Sequence, residues 1–145
     1  MKQRPFKVID KIIIHVSDSN NPKHDDVSVI NEWHKVRFKP DPDGVYCGYH
    51  FFIRSDGNVQ KGRAIKWYGQ HCTGQNWNSI GICLHGKSGE FTQEQYKSLI
   101  DLIIDLKKIV PSILEVAQHS NYDSKKPFCA GFKQNQIDYL DNLIK

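Results

Sequence analysis

Apolar and polar positions change period several times along the chain. "KVIDKIIIHV" closes on the β-branched run Ile12–Ile14 and predicts a buried strand, with His15 at or just past its end. In "DDVSVINEWHKVRF", Val27, Ile30 and Trp33 recur at helical spacing behind Asp25 or Asp26 as N-cap. "YHFFIRSDGNVQKGR" holds two short β-type runs around Asp56-Gly57, a hairpin signal. "NSIGICLHG" predicts another buried strand. Thr92 and Gln95 then form a capping box for a helix that carries Tyr96, Leu99, Ile103, Leu106 and Val110 on one face and stops at Pro111. A short strand, "ILEVAQ", precedes a polar loop, and Ile137, Leu140 and Ile144 mark a last helix. Strand, helix, hairpin, strand, helix, strand, helix is the order of a mixed sheet flanked by helices, in the α/β class.

The 145 residues suit a single domain spanning 1–145. With 39% apolar and 25% charged residues the composition is that of an ordinary globular protein. No apolar run reaches the ~18 residues of a membrane span. Asp10 and Lys11 break the N-terminal apolar stretch, so it reads as a strand and not as a secretory signal; the expected compartment is cytoplasmic. Four irregularly spaced cysteines (Cys47, Cys72, Cys83, Cys129) do not form a disulfide framework, and free or metal-bound thiols are the simpler reading. A net charge of +4 is too mild and unclustered for a nucleic-acid binder but compatible with an anionic polymer.

Among the seven histidines, His15 and His119 share a context: each stands where an apolar strand meets a polar loop. With Cys129, ten positions after His119, they make a His2Cys set that leaves a fourth zinc position open, the catalytic and not the structural pattern. A strand-edge histidine is more often a hydrogen-bonded rim residue, and a lone cysteine a small buried hydrophobe, so residue types leave both readings open. His24, His34 and His85 have no evident partner, and an exposed or capping role is the default for His34.

The segments "IIIHVSDS", "CGYHFFIRSDGNVQKGR", "HCTGQNWNSIGICLHG" and "HSNYDSKKPFCAGF" occur in this order across most of the chain. Together they resemble the N-acetylmuramoyl-L-alanine amidase family, which includes the short phage lysozymes that are zinc amidases and the animal peptidoglycan recognition proteins. The resemblance implies a central mixed sheet with helices, one Zn2+ per chain, and hydrolysis of the amide between N-acetylmuramic acid and L-alanine. Position by position, it implies His15, His119 and Cys129 as metal ligands and Tyr49, in "GYHF", as an active-site tyrosine. Tyr49 and His50 point to opposite faces if both lie on a strand, so only one of them can face the metal, and the resemblance implies Tyr49. Cys83 stands where another branch carries an assisting glutamate. The phage branch has a catalytic lysine two residues before the zinc cysteine; here that position is Pro127, and Lys126 is the expected replacement, with Lys125 the other choice.

His71 and Asn76, in the loop before "NSIGICL", are expected to bind substrate, with Trp67 or Trp77 either offering a sugar face or packing in the core. Peptidoglycan or a muropeptide is the implied partner, with no nucleic acid, no membrane insertion and a monomeric state. The leading role is a phage or prophage endolysin without a separate wall-binding module. A muropeptide-recycling amidase, an exported toxin, or a non-catalytic binding protein of the same fold are the alternatives. Cys129 favours the enzyme, because non-catalytic members typically lack that ligand.

Overall fold

The β-branched runs lie side by side in one sheet. The computed structural model describes residues 1–145. Strands β1 (Lys11–Val16), β2 (Phe51–Ile53), β3 (Val59–Lys61), β4 (Ser79–Leu84) and β5 (Glu115–Gln118) pair in the order β3-β2-β4-β1-β5. β3 returns antiparallel to β2, and the other pairings are parallel. Helices α1 (Val27–Lys35), α2 (Gln93–Ile109) and α3 (Gln134–Asn142) complete the expected α/β order. No helix is long and apolar enough to cross a membrane.

β1 and β4 are buried along their whole length, as parallel strands covered on both faces must be. Alternation sorts their side chains. Ile12, Ile14 and Val16 join Ile80, Ile82 and Leu84 in the main core, together with Leu99, Ile103 and Leu106 of α2 and Ile137 and Leu140 of α3. The opposite face carries a smaller cluster in which Phe52 and Cys83 meet Ile30 of α1 and Cys47. The strand register sets His15 beside Cys83 and Cys83 beside Phe52, so His15 emerges on this second face.

Local signals largely decide where elements begin. Thr92 Oγ1 accepts from Gln95 N–H while Gln95 Oε1 accepts from Thr92 N–H, closing the capping box of α2. Asp26 caps α1 by accepting from Ser28 N–H, whereas Asp25 turns away and binds Ser55. Three details differ from the sequence pattern. Phe6–Val8 forms a short 3-10 turn and the strand starts at Lys11. Tyr49 and His50 precede β2 instead of lying on it. On α1 the buried pair is Ile30 and His34, and Trp33 is exposed.

His34 is buried because a loop needs it: its Nδ1 accepts from Gly48 N–H at 2.8 Å. Of the other two unassigned histidines, His24 has a partner, its Nδ1 lying 2.7 Å from the Ser19 hydroxyl, whereas His85 Nδ1 is buried 3.8 Å from the Asp25 carboxylate without a hydrogen bond. His50, fully buried, accepts from Gly81 N–H through Nδ1 and donates to the Trp67 carbonyl through Nε2.

Burial, aided by the Arg37 charge, lowers the His34 pKa to about 4, and burial with Arg4 lowers that of His50 to about 3. An unfolded histidine titrates near 6.5, so below that pH the unfolded chain binds protons the native chain refuses. The stability these two contribute is complete above about pH 6.5 and is lost as pH falls toward about 4. Melting temperature is therefore expected to be flat above about pH 7 and to drop between about pH 6 and 4. In His34→Gln, whose amide oxygen still accepts but does not titrate, the decline should be shallower. An unchanged slope in that variant would remove His34 from the account.

Candidate metal and catalytic site

Three chain segments deliver the central side chains. His15 is the penultimate residue of β1, and His119 opens the turn His119–Asn121 directly after β5. These are the carboxyl ends of adjacent parallel strands, where open sheets place their sites. Cys129 arrives on a loop that is tied down twice. Ser120 N–H donates to the Cys129 carbonyl at 2.7 Å, and the Gln118 amide brackets Phe132 through two 3.0 Å bonds. A further N–H, from Val16, donates to Cys129 Sγ at 3.4 Å.

One ligand atom from each of His15, His119 and Cys129 lies within 4.8 Å of the others. Tetrahedral zinc with bonds near 2.0–2.3 Å holds its donors roughly 3.5 Å apart, so this set needs little adjustment to take the ion. The donor chemistry fits as well. Burial lowers the His15 pKa well below its usual value, with the His119 and His34 charges adding to the effect. Burial likewise lowers His119, although the Asp123 carboxylate, 3.6 Å from its Nε2, opposes this. Both rings are thus neutral, as metal ligation requires. Burial raises the Cys129 thiol, against the Val16 N–H and the Lys126 charge.

The cleft around this trio has a volume of about 560 Å³ and is lined by all seven residues singled out from the sequence. The Tyr49 ring lies 5.0 Å from His15 and 5.3 Å from His34, centroid to centroid. Burial, with the thiols of Cys83, Cys129 and Cys47, holds its phenol pKa well above the usual value, so the hydroxyl keeps its proton. Lys126 is exposed and lines the cleft together with Lys125 and Pro127, and its charge acts on both His119 and Cys129.

Two residues expected to bind substrate are already engaged within the protein. His71 Nδ1 lies 2.8 Å from His15 Nε2. Asn76 Oδ1 accepts from the backbone N–H of both His71 and Cys72, at 2.9 Å each. Trp67 is buried and donates to Asp43, while Trp77 is exposed beside Tyr68. Cys47, Cys72 and Cys83 are buried free thiols. The supports His34, Gln118 and Asp123 carry no motif of their own in the sequence. Only His34 left a trace in sequence, four residues after the buried Ile30.

Residues 4–131 match the family model described as N-acetylmuramoyl-L-alanine amidase. The chain belongs to the N-acetylmuramoyl-L-alanine amidase family. It is 36% identical over 104 residues to the endolysin of Escherichia phage T7, an alignment spanning 67% of this chain and 66% of that protein. With the endolysin of Klebsiella phage KP32 it shares 33% identity over 116 residues, 75% of this chain and 74% of the other. The solved N-acetylmuramoyl-L-alanine amidase LysC from Clostridium intestinale URNW superimposes with a TM-score of 0.77 at 28% identity, covering 98% of this chain and 93% of that one. Peptidoglycan recognition protein SA of Apis mellifera, at 20% identity and a TM-score of 0.70, shares the fold. This amidase-family chain thus has the mixed sheet with helices that its motifs implied.

Proposed function

We propose that the protein is a zinc-dependent amidase that cleaves the bond between N-acetylmuramic acid and L-alanine in peptidoglycan, acting as a monomeric phage or prophage endolysin. The observation that carries this reading is the His15, His119, Cys129 cluster at the floor of a cleft in a chain of this family. A zinc ion held by these three would polarise the scissile carbonyl and acidify the attacking water.

The remaining chemistry belongs to the protein. Water adds to the lactyl amide carbon, the carbonyl oxygen becomes an oxyanion, and the C–N bond breaks as the proton given up by the water passes to the nitrogen, releasing the L-alanine amine. The Tyr49 hydroxyl, kept protonated by burial, donates to the developing oxyanion. The Lys126 ammonium adds positive charge at the cleft wall beside His119 and Cys129. Since Pro127 stands where a lysine was expected, Lys126 and Lys125 are separable by substitution. Lys126→Ala is expected to lower kcat about 10²-fold, the scale of one lost oxyanion donor, and Lys125→Ala by less than about threefold. Equal small losses in both would show that neither lysine is catalytic.

Digestion of purified walls tests the function as a whole. Free L-alanine amino termini should appear, no new reducing sugar ends should form, and chelator should stop the reaction until zinc is restored. Reducing ends would instead mean a glycosidase. Wall binding without release of either group would identify a non-catalytic binding protein. Activity on soluble muropeptides but not on intact walls would point to recycling in place of lysis.

A further inference from the structure

From His15 a chain of hydrogen bonds crosses the sheet face. His15 Nε2 is 2.8 Å from His71 Nδ1, His71 Nε2 is 3.2 Å from Ser79 Oγ, and Ser79 Oγ is 2.6 Å from the Gln75 carbonyl oxygen. The protons in such a chain are set from its far end. A carbonyl oxygen only accepts, so Ser79 gives its hydroxyl hydrogen to Gln75. The Ser79 oxygen is then the acceptor for His71, and His71 carries its proton on Nε2. With no carboxylate bonded to its ring, His71 is a neutral imidazole whose Nδ1 lone pair faces His15. His15 must therefore donate from Nε2, which leaves its Nδ1 as the only ring nitrogen with a free lone pair.

The protein is built tightly around this one ring. A Cβ at Gly81 would lie 2.7 Å from His71 Cδ2, and one at Gly69 would meet the same atom at 2.7 Å. Any side chain larger than hydrogen at either position would displace the imidazole. Gly81 is the middle of β4 and pairs with Ile13 of β1, so the ring rests directly on the sheet surface. The Asn76 oxygen holds the backbone of His71 from the other direction. Ser79 itself is fully buried.

We propose that His71 is a positioning residue that locks His15 in the Nε2–H tautomer, so that Nδ1 is the atom His15 presents to a metal, with Ser79 and the Gln75 carbonyl anchoring the lock. This rests on reading the His15, His119, Cys129 cluster as the metal site, and it gives His71, at the wall of the cleft, a supporting role in place of a substrate-binding one. Metal-bound histidines commonly depend on such a partner at their second nitrogen, and losing it typically weakens binding about 10–100-fold.

The tautomers are read directly from long-range 1H–15N correlation spectra of the histidine side chains, recorded on chelator-treated protein and again after adding zinc. Before zinc, His15 and His71 should both show neutral Nε2–H patterns. After zinc, the His15 Nδ1 shift should move and the Nε2–H pattern should persist. A His71 protonated on Nδ1, or a zinc-induced shift at His15 Nε2, would overturn the proposal. Zinc affinity by chelator competition supplies the second readout. His71→Ala should weaken zinc about 10–100-fold, whereas His71→Asn, whose amide oxygen can sit where Nδ1 was, should recover most of that loss. Equal affinities in parent and His71→Ala, or an equal loss in both variants, would also overturn it. Parent protein that binds no zinc would defeat the metal-site reading, while the tautomers measured without metal would still decide the lock on its own terms.

Discussion

Cys129→Ala is expected to remove zinc from the protein and bring wall hydrolysis to background. Three side chains supply the proposed site, and the thiolate is its only anionic donor. Losing it leaves two neutral imidazoles, and the effect should exceed the roughly 10–100-fold typical of losing a mere supporting partner. Folding should survive. Cys129 is only partly buried, and its loop keeps the Ser120 bond to the Cys129 carbonyl and the Gln118 clamp on Phe132, neither of which uses the thiol. Metal analysis, turbidity loss of cell walls and thermal melting measured on the same preparation separate these effects. A variant that clears walls as fast as the parent would refute the metal mechanism outright.

Tyr49→Phe is expected to lower kcat by about 10²–10³-fold while leaving zinc content and melting temperature close to those of the parent. The substitution keeps the ring that packs on His15 and His34 and deletes only the hydroxyl. An oxyanion donor acts in the transition state and not in the ground state, so KM should change much less than kcat. If the tyrosine only fills space beside His15, Tyr49→Phe will behave like the parent and Tyr49→Ala alone will be impaired. That outcome would move the donor role to Lys126 or to the metal.

The elements were readable where one physical signal dominated. Ile12–Ile14 and Ile80–Leu84 are β-branched or apolar runs buried on both faces, and such runs are the strongest strand signals a chain carries. The Thr92/Gln95 box marks the start of α2 through bonds only three residues apart. Histidine was harder to place, because its role depends on which group the fold brings to each ring nitrogen. His34 has the sequence context of a surface helix residue, yet the loop that passes over α1 offers it the Gly48 N–H. His71 has the sequence context of a polar loop residue, and strand register is what sets its ring on the bare surface of Gly81 and against His15.

The sequence by itself determined the strand and helix order, the α/β class and the family. It also singled out His15, Tyr49, His71, Asn76, His119, Lys126 and Cys129, all of which line the cleft, because linked motifs and apolar periods are local properties of the chain. The meeting of His15, His119 and Cys129 was decided by the tertiary structure. Parallel pairing of β1 with β5 brings residues more than a hundred positions apart to neighbouring strand ends, and the Gln118 clamp folds the cysteine loop back over them. The same loop path brings Lys126 into the cleft, where its charge acts on both His119 and Cys129. Contacts of that range depend on register and loop path, which no short stretch of sequence encodes.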